Sequence, residues 1–522
     1  MKRTLPLSLA TLALGLVGLA PAAPAQGLIS TAGIVVAADL DAVPDVAGAP
    51  IPNFSFGPAG AFDLPVLDES GRVLFRAEFV EALGPLPAYS DAAYFYGSSR
   101  AVLSMVIRGG DQAPGQAPGV LLSSVAGNTI TINGSPRLSP DGRILFGATI
   151  DDGGVTITSD VDQGLFGGFP GALGTFVRKG DIAPSTGGAR FLQAFSSASP
   201  TSTGIDSTGR IWFTGALVSG TGVPPVTTLP GMNNQLGLWA GLPGSLELVA
   251  RRSDPASGLP GYFIGDSGTA IGSGPQMNDS GQLLYKTLLS QTLGTPATAA
   301  DDAVLMLFTP GVGSVKIARE GDLAPGIGGG VTMNAILGDN WTAGLPDTSL
   351  LRTGEVIFTT ELRGGTVGGV ADKAVYRGTA AGLTKIAQRG DPAPGVPGAF
   401  FETFSDRNVL HNALGRVSIQ ATLSGSVPTT ADSGIWSGTA GNLALVVQER
   451  QAMPGTGGSI AGAFTGGSTY INDRGQILFH CTLSGGAVTG NSLWAWDEGL
   501  GLAPVILLGD TVEVSPGVFK TI

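Results

Sequence analysis

Apolar residues in this chain fall into short runs, and seven of those runs share one lead-in. The last copy is the clearest: Ile471-Asn472-Asp473-Arg474-Gly475-Gln476-Ile477-Leu478-Phe479, a polar turn that passes straight into an apolar strand. Earlier copies carry their glycines at Gly71, Gly142, Gly209, Gly281, Gly354 and Gly415, so the pattern recurs every 60 to 73 residues. Self-similarity at such a period marks a repeat architecture. Two positions after each glycine stand Val73, Ile144, Ile211, Leu283, Val356, Val417 and Ile477; four after it stand Phe75, Phe146, Phe213, Tyr285, Phe358, Ile419 and Phe479. A period of two places both sets on one face of a strand. The position between them is often apolar too (Leu74, Leu145, Leu284, Leu478), which predicts strands covered on both faces.

Three positions before the glycines lie Asp68, Ser139, Asp206, Asn278, Leu351, Asn412 and Asn472. All but Leu351 can bond their own backbone through a short polar side chain, which favours a turn. The fifth turn is therefore expected to be built differently. A second pattern lies 35 to 45 residues beyond each glycine: Val106–Gly115 (VIRGGDQAPG), Val177–Pro184, Ile317–Gly326 and Ile386–Gly395, with weaker copies at Val249–Ser257, Val447–Gly455 and Leu507–Asp510. Between the two patterns sits a small–aliphatic–aromatic segment, as in Gly164-Leu165-Phe166, Gly237-Leu238-Trp239 and Gly434-Ile435-Trp436. A fourth strand is expected after the second pattern, marked by Phe191 and Phe195, Phe400 and Phe404, or Phe464.

Each unit thus supplies about four short strands, starting with the motif strand. A lone sheet apolar on both faces cannot stand in water. Stacking such sheets radially covers both faces and leaves only short edges, which is a β-propeller. The fold expected is all-β: a propeller of seven four-stranded blades, with eight blades, tandem β-sandwich modules or a β-solenoid as alternatives. No helical periodicity is sustained anywhere in the mature chain. Gly33-Ile34-Val35-Val36 opens the chain like a third strand, ahead of an acidic loop with Asp39, Asp41 and Asp45. Gly517–Ile522 closes it like a fourth, so the two ends are expected to complete one blade together.

Composition narrows the setting. Residues 1–25 read as a secretory signal peptide: Lys2 and Arg3, an apolar run from Leu7 to Leu19, then Ala23-Pro24-Ala25. Residues 26–522 form a single repeat-built domain, expected to be secreted, extracellular or periplasmic, without a membrane span. The one cysteine, Cys481, rules out an internal disulfide and reads as a small buried residue. The 83 glycines and 35 prolines suit strands joined by tight loops, and 43% apolar residues exclude a disordered chain. A net charge of −12 makes nucleic acid a poor partner.

The turn motifs resemble a bacterial family named for them, the choice-of-anchor tandem repeat proteins with an NxxGxxAF motif. Asn278, Asn412 and Asn472 supply the Asn, the seven glycines the Gly, and six aromatic residues the final position. The GDxAPG segments match that family as well. The resemblance covers nearly all of the mature chain and implies an exported protein of unknown function ending in an anchoring tail. No such tail is recognisable here, and the family implies no catalytic residues.

Several small motifs invite a chemical reading. The two histidines, His411 and His480, lie in different repeats without a partner at metal-ligand spacing. Gly265-Asp266-Ser267-Gly268 resembles the nucleophile loop of trypsin-like proteases, but both histidines follow it, against that family's order. Arg389-Gly390-Asp391 matches the integrin tripeptide yet is one copy of the second pattern, and Gly455-Thr456-Gly457-Gly458 lacks the lysine of a phosphate loop. One constellation stands out: Asp111, Asp181, Asp322, Asp391 and Asp510 occupy equivalent places, and a closed ring sets them around one rim. Each carboxylate could simply accept backbone N–H bonds within its own turn. The functional alternative is a ligand-binding rim for a cation such as calcium or for a sugar. The acidic run Asp151, Asp152, Asp160 and Asp162 raises the same question, though its spacing fits no standard calcium loop.

The expectation is an exported, non-catalytic propeller acting as a binding or cell-envelope structural module, with an extracellular glycan or envelope component as partner and no catalytic residues or cofactor. A polysaccharide-active hydrolase or lyase is the rival, since propellers can hold acid–base carboxylates at the central mouth.

Overall fold

The computed structural model describes residues 42–44, 50–56, 65–68, 70–81, 92–99, 101–122, 136–151, 161–193, 203–229, 231–265, 271, 275–336, 348–365, 367–464, 469–515 and 518–521. The signal peptide, the Gly33–Val36 strand, the acidic loop, Asp152, Asp160, Phe195 and residues 266–268 lie outside this set.

Every regular element among the described residues is a strand. All seven motif glycines adopt positive φ, between 76° and 93°, the conformation that chain reversal requires and glycine accepts. The strand after each turn is the second of an antiparallel sheet, and seven such sheets follow one another along the chain. Sheet 3 is representative. Its inner strand comes in two parts, Phe191–Gln193 and Thr203–Ile205, and pairs with the motif strand Ile211–Leu217; Leu236–Leu242 and Ser245–Arg251 complete it. In sheet 6 the inner strand is continuous in pairing order, Ala399–His411, beside Val417–Gly425, Ser433–Thr439 and Asn442–Gln448. The strand expected to end each unit therefore opens the next sheet. The repeat as written and the sheet as folded are out of step by one strand, because that fourth strand pairs with the motif strand that follows it.

Alternation decides which sheet each side covers. Ile144, Phe146, Ala148 and Ile150 of sheet 2 pack on Leu74, Tyr94 and Tyr96 of sheet 1, whereas Leu145 and Leu165 face Phe213 and Trp239 of sheet 3. The same rule gives the cores between sheets 3 and 4, 4 and 5, 5 and 6, and 6 and 7. At the two ends of the series, Val73, Phe75, Ala77 and Phe95 are buried on the near face of sheet 1, and Leu493, Ala495 and Val505 on the far face of sheet 7. A ring accounts for both by setting sheet 7 against sheet 1. The inner strands of successive sheets also touch one another, as in Val66–Leu67 with Arg137–Leu138, Arg137–Leu138 with Thr203–Ile205, and Thr203–Ile205 with Gln276–Met277. The chain is a seven-bladed β-propeller with those strands around its axis.

Register repeats as faithfully as topology. In all seven sheets the pairing of third and outer strands slips by one residue just before the large side chain, as between Leu165 and Phe166, Leu238 and Trp239, and Ile435 and Trp436. Such a bulge sharpens the twist of the outer edge. The large residue then lies opposite the motif aromatic, giving stacked or tilted pairs such as Phe213–Trp239 (5.8 Å) and Phe358–Tyr376 (5.8 Å).

Of the two ends expected to share a blade, only the last strand falls within the described residues. Sheet 1 fills its own inner edge with Pro50–Phe56 and Val66–Leu67. Val518–Thr521 pairs instead with Thr511–Ser515 in a two-stranded ribbon. Among the described residues, the inner edge of sheet 1 is thus filled by its own segments, and the last strand pairs with its neighbour along the chain.

Candidate functional site

Two sets of turns lie at opposite ends of the strands. On one face, the motif turns surround the axis. In five of them the leading polar residue accepts two backbone N–H groups, as Asp206 Oδ1 does from Thr208 (2.8 Å) and Arg210 (2.9 Å), and Asn472 Oδ1 from Arg474 (3.1 Å) and Gln476 (3.0 Å), whereas Ser139 Oγ accepts one, from Arg143 (2.8 Å). Leu351 keeps the backbone bonds of the turn, Gly354 N–H to Leu351 O (3.0 Å) and Leu351 N–H to Glu355 O (2.8 Å). Its side chain is fully buried instead. The fifth turn thus differs only in its side-chain bonds.

In sheets 1, 2 and 3 the residue after the glycine reaches onto the next turn. Arg72 donates to Asp141 O (3.3 Å), Arg143 to Ser207 O (3.2 Å) and Arg210 to Asp279 O (3.3 Å). In sheet 5 that residue is Glu355, which recruits Arg377 (2.6 Å) to donate to Gly415 O in its stead (3.2 Å). Asn278 and Asn412 add side-chain bonds to Leu351 O and Asn472 O (both 3.1 Å). The crossing side chain gives such a glycine a second role: a Cβ on Gly281 would stand 2.8 Å from Arg210 Cδ. In sheet 1, Tyr96 donates to the buried Asp68. Burial alone would raise that carboxyl, but bonds from Tyr96, Ser70 and the Arg72 N–H, with the Arg72 charge, hold it below the usual carboxylate range.

On the other face, the second pattern forms the connectors that lead from the outer strand of one sheet to the inner strand of the next. Asp111, Asp181, Asp322 and Asp510 each accept the N–H three residues back, from Arg108 (2.8 Å), Arg178 (2.7 Å), Arg319 (2.9 Å) and Leu507 (2.7 Å). Lys316 pairs with Asp322 (2.8 Å) and Lys385 with Asp391 (2.9 Å). Burial raises the Asp111 carboxyl. At the sixth connector Gln451 Oε1 accepts the Gln448 N–H (3.1 Å) in the same way, so the turn needs an acceptor and not a charge. The alanines of the first five connectors are buried (Ala113, Ala183, Ala256, Ala324, Ala393), and three of the proline carbonyls receive a bond from a ring of the following sheet: Trp239 to Pro184 O (3.3 Å), Tyr376 to Pro325 O (3.0 Å), Trp436 to Pro394 O (2.9 Å).

The remaining candidates disperse. Arg389 pairs with Asp372 of sheet 5 and Glu402 of sheet 6, so the Arg-Gly-Asp segment is tied to both sheets that its connector joins. Asp162 pairs with Lys179 (3.1 Å). His411 lies at the motif-turn face, its proton affinity lowered by burial, and His480 lies within the motif strand of sheet 7. Cys481 is buried, and burial pushes its thiol up to about 11. Among the described residues, no three of His, Cys, Asp or Glu gather as a metal site, and no helix is long and apolar enough to cross a membrane. Sequence reasoning overlooked the post-glycine arginines and the trio Asp279, Arg352 and Asp473. Arginine in four of seven copies of that position (Arg72, Arg143, Arg210, Arg416) was the available signal.

No curated protein matches the chain in sequence. Solved structures that resemble it include the polysaccharide lyase Uly1, 10% identical with a TM-score of 0.33 over 90% of this chain and 98% of that one. A PL25 ulvan lyase is 10% identical with a TM-score of 0.29, over 88% and 95%. A Penicillium chrysogenum α-L-arabinanase is 12% identical with a TM-score of 0.25, over 70% and 93%. Likeness this slight carries no argument about the present chain. One family model matches it twice in succession, over residues 30–227 and 225–522, and so the chain belongs to the family of unknown function DUF7453.

Proposed function

We propose that this chain is an exported, non-catalytic propeller serving as a binding or cell-envelope structural module. The observation that carries the reading is the connector turn. Its carboxylates bond the backbone of their own turns, and Gln451 does the same work without a charge. A general acid or base must be available to substrate within hydrogen-bond reach. Here the acids that sequence position marks out are absorbed in holding turns and seams. Export is supported by Lys2, Arg3 and the apolar run that follows, and envelope association by the resemblance of the turn motifs to choice-of-anchor repeat proteins. An extracellular glycan is the partner class proposed, for which a rigid scaffold with variable loops opposite the motif turns is suited.

The test is incubation of the mature protein with a panel of immobilised and soluble polysaccharides, reading both retention and released sugars. Retention without product is the expected result. Release of oligosaccharides or of unsaturated ends would overturn the proposal in favour of a hydrolase or lyase. Calorimetric titration with calcium reads the rim separately: heat of binding, lost on changing Asp322 and Asp391 to Asn, would make those carboxylates ligands.

A further inference from the structure

Six seams of the ring join sheets that are consecutive in the chain. Among the described residues, no strand is shared across the seam between sheet 7 and sheet 1. In sheets 3, 4, 5 and 7 the first central residues of the motif turns, Ser207, Asp279, Arg352 and Asp473, form a relay. Ser207 Oγ donates to Asp279 Oδ1 (2.5 Å); Asp279 Oδ2 lies 4.0 Å from Arg352 Nε; Arg352 reaches Asp473 Oδ2 at 3.8 Å; and Asp473 Oδ1 accepts the Ala413 N–H (2.9 Å). One arginine of sheet 5 therefore touches sheets 4 and 7 while passing over sheet 6. It can do so because the residue at that place in sheet 6 is Ala413, which offers only a methyl group.

We propose that Arg352 is an ionic clasp that spans the axial mouth and holds sheet 7 to the body of the ring, making the seam between sheets 7 and 1 sensitive to ionic strength. The partners are set to receive it, since Ser207 fixes one carboxylate and the Ala413 N–H the other. All three charged groups are partly exposed, with side chains 49%, 39% and 54% accessible for Arg352, Asp279 and Asp473. Salt therefore screens the clasp: the screening length falls from ~30 Å at about 0.01 M to ~3 Å at about 1 M.

The test is residue-resolved hydrogen exchange on the full chain, comparing wild type with Arg352→Gln and Asp473→Asn. At low salt both variants should exchange the amides of Leu493, Ala495 and Val505 roughly two- to five-fold faster, the range expected of an exposed ion pair. Sheet 2 amides should stay unchanged, the double variant should add nothing to either single one, and wild type should converge on the variants at about 1 M salt. Equal exchange in wild type and variants at low salt would overturn the clasp. So would acceleration spread evenly over all seven sheets, or a difference that persists in high salt. Arg210→Gln, which removes a contact between sheets 3 and 4 only, separates the clasp from a general effect of losing a turn arginine.

Discussion

Trp436 offers the sharpest check on the connector argument. Its indole is fully buried, meets Phe401 edge-on at 5.0 Å, and donates to Pro394 O at 2.9 Å. Replacing it by phenylalanine keeps an aromatic ring but removes the donor, leaving a carbonyl whose loss of partner costs about 1–3 kcal/mol. Trimming the ring system adds about 1 kcal/mol in lost burial, at ~0.8 kcal/mol per CH₂-sized group. Trp436→Phe should therefore destabilise by about 2–4 kcal/mol. Sheet 2 shows how the loss can be mended. There the corresponding residue is Phe166, and Thr175, which lies opposite it, donates to Pro114 O (2.6 Å). The residue opposite Trp436 is Leu445. Leu445→Thr in the Trp436→Phe background should recover about 1 kcal/mol, the usual net value of one hydrogen bond. Urea unfolding followed by far-ultraviolet circular dichroism gives the numbers, with an unchanged denaturant slope showing that the folded state is the same. A single variant within about 0.5 kcal/mol of wild type, or a double variant no more stable than the single one, would refute the idea that this bond fastens connector to sheet.

Two further outcomes follow from the motif turns. Gly171, at a hairpin tip with φ 83°, has nothing within 4 Å of an added Cβ, so Gly171→Ala should cost only the left-handed backbone penalty of about 1–2 kcal/mol. Gly281→Ala carries that penalty and meets Arg210 as well, and thermal melts should rank it the less stable; trimming Arg210 to alanine in that background should remove the extra part, and equal melting of the two glycine variants would count against the contact. The Asp68 carboxyl is held below its ordinary value in the folded chain, so its contribution is present above the unfolded value of about 3.9 and disappears as pH falls through the folded one. Stability measured from pH 5 downward should therefore fall less steeply in Asp68→Asn than in wild type, and parallel profiles would exclude the linkage.

What could be read from the chain was what recurs. The seven glycines, the alternating aliphatic and aromatic positions and the small–aliphatic–aromatic segment located the strands and both of their faces, because burial on two sides leaves no position free to vary in polarity. The strand phase was missed because a period shows which elements repeat but not which pair; Phe191 belongs with Phe213 across a turn, not with the outer strand it follows. The connector aspartates were recognised as equivalent, yet their engagement with nearby N–H groups depends on turn geometry that equivalence does not specify. The clasp was invisible for another reason. Asp279, Arg352, Ala413 and Asp473 share one turn position, which holds six residue types in seven copies, so sameness does not mark them. The convergence of the motif turns at the axis brings Arg352 beside Asp473 across more than a hundred residues of chain.

The one-strand offset between written repeat and folded sheet has a practical consequence for anyone wishing to shorten, lengthen or shuffle this protein. A piece excised from one glycine turn to the next takes away a sheet's last three strands and the opening strand of its successor. Both wounds expose edges and aromatic surface. Cuts made instead at the connectors, ahead of residues such as Ala399, would lift out a whole blade together with the surfaces its neighbours need, and only there should blade number be open to engineering.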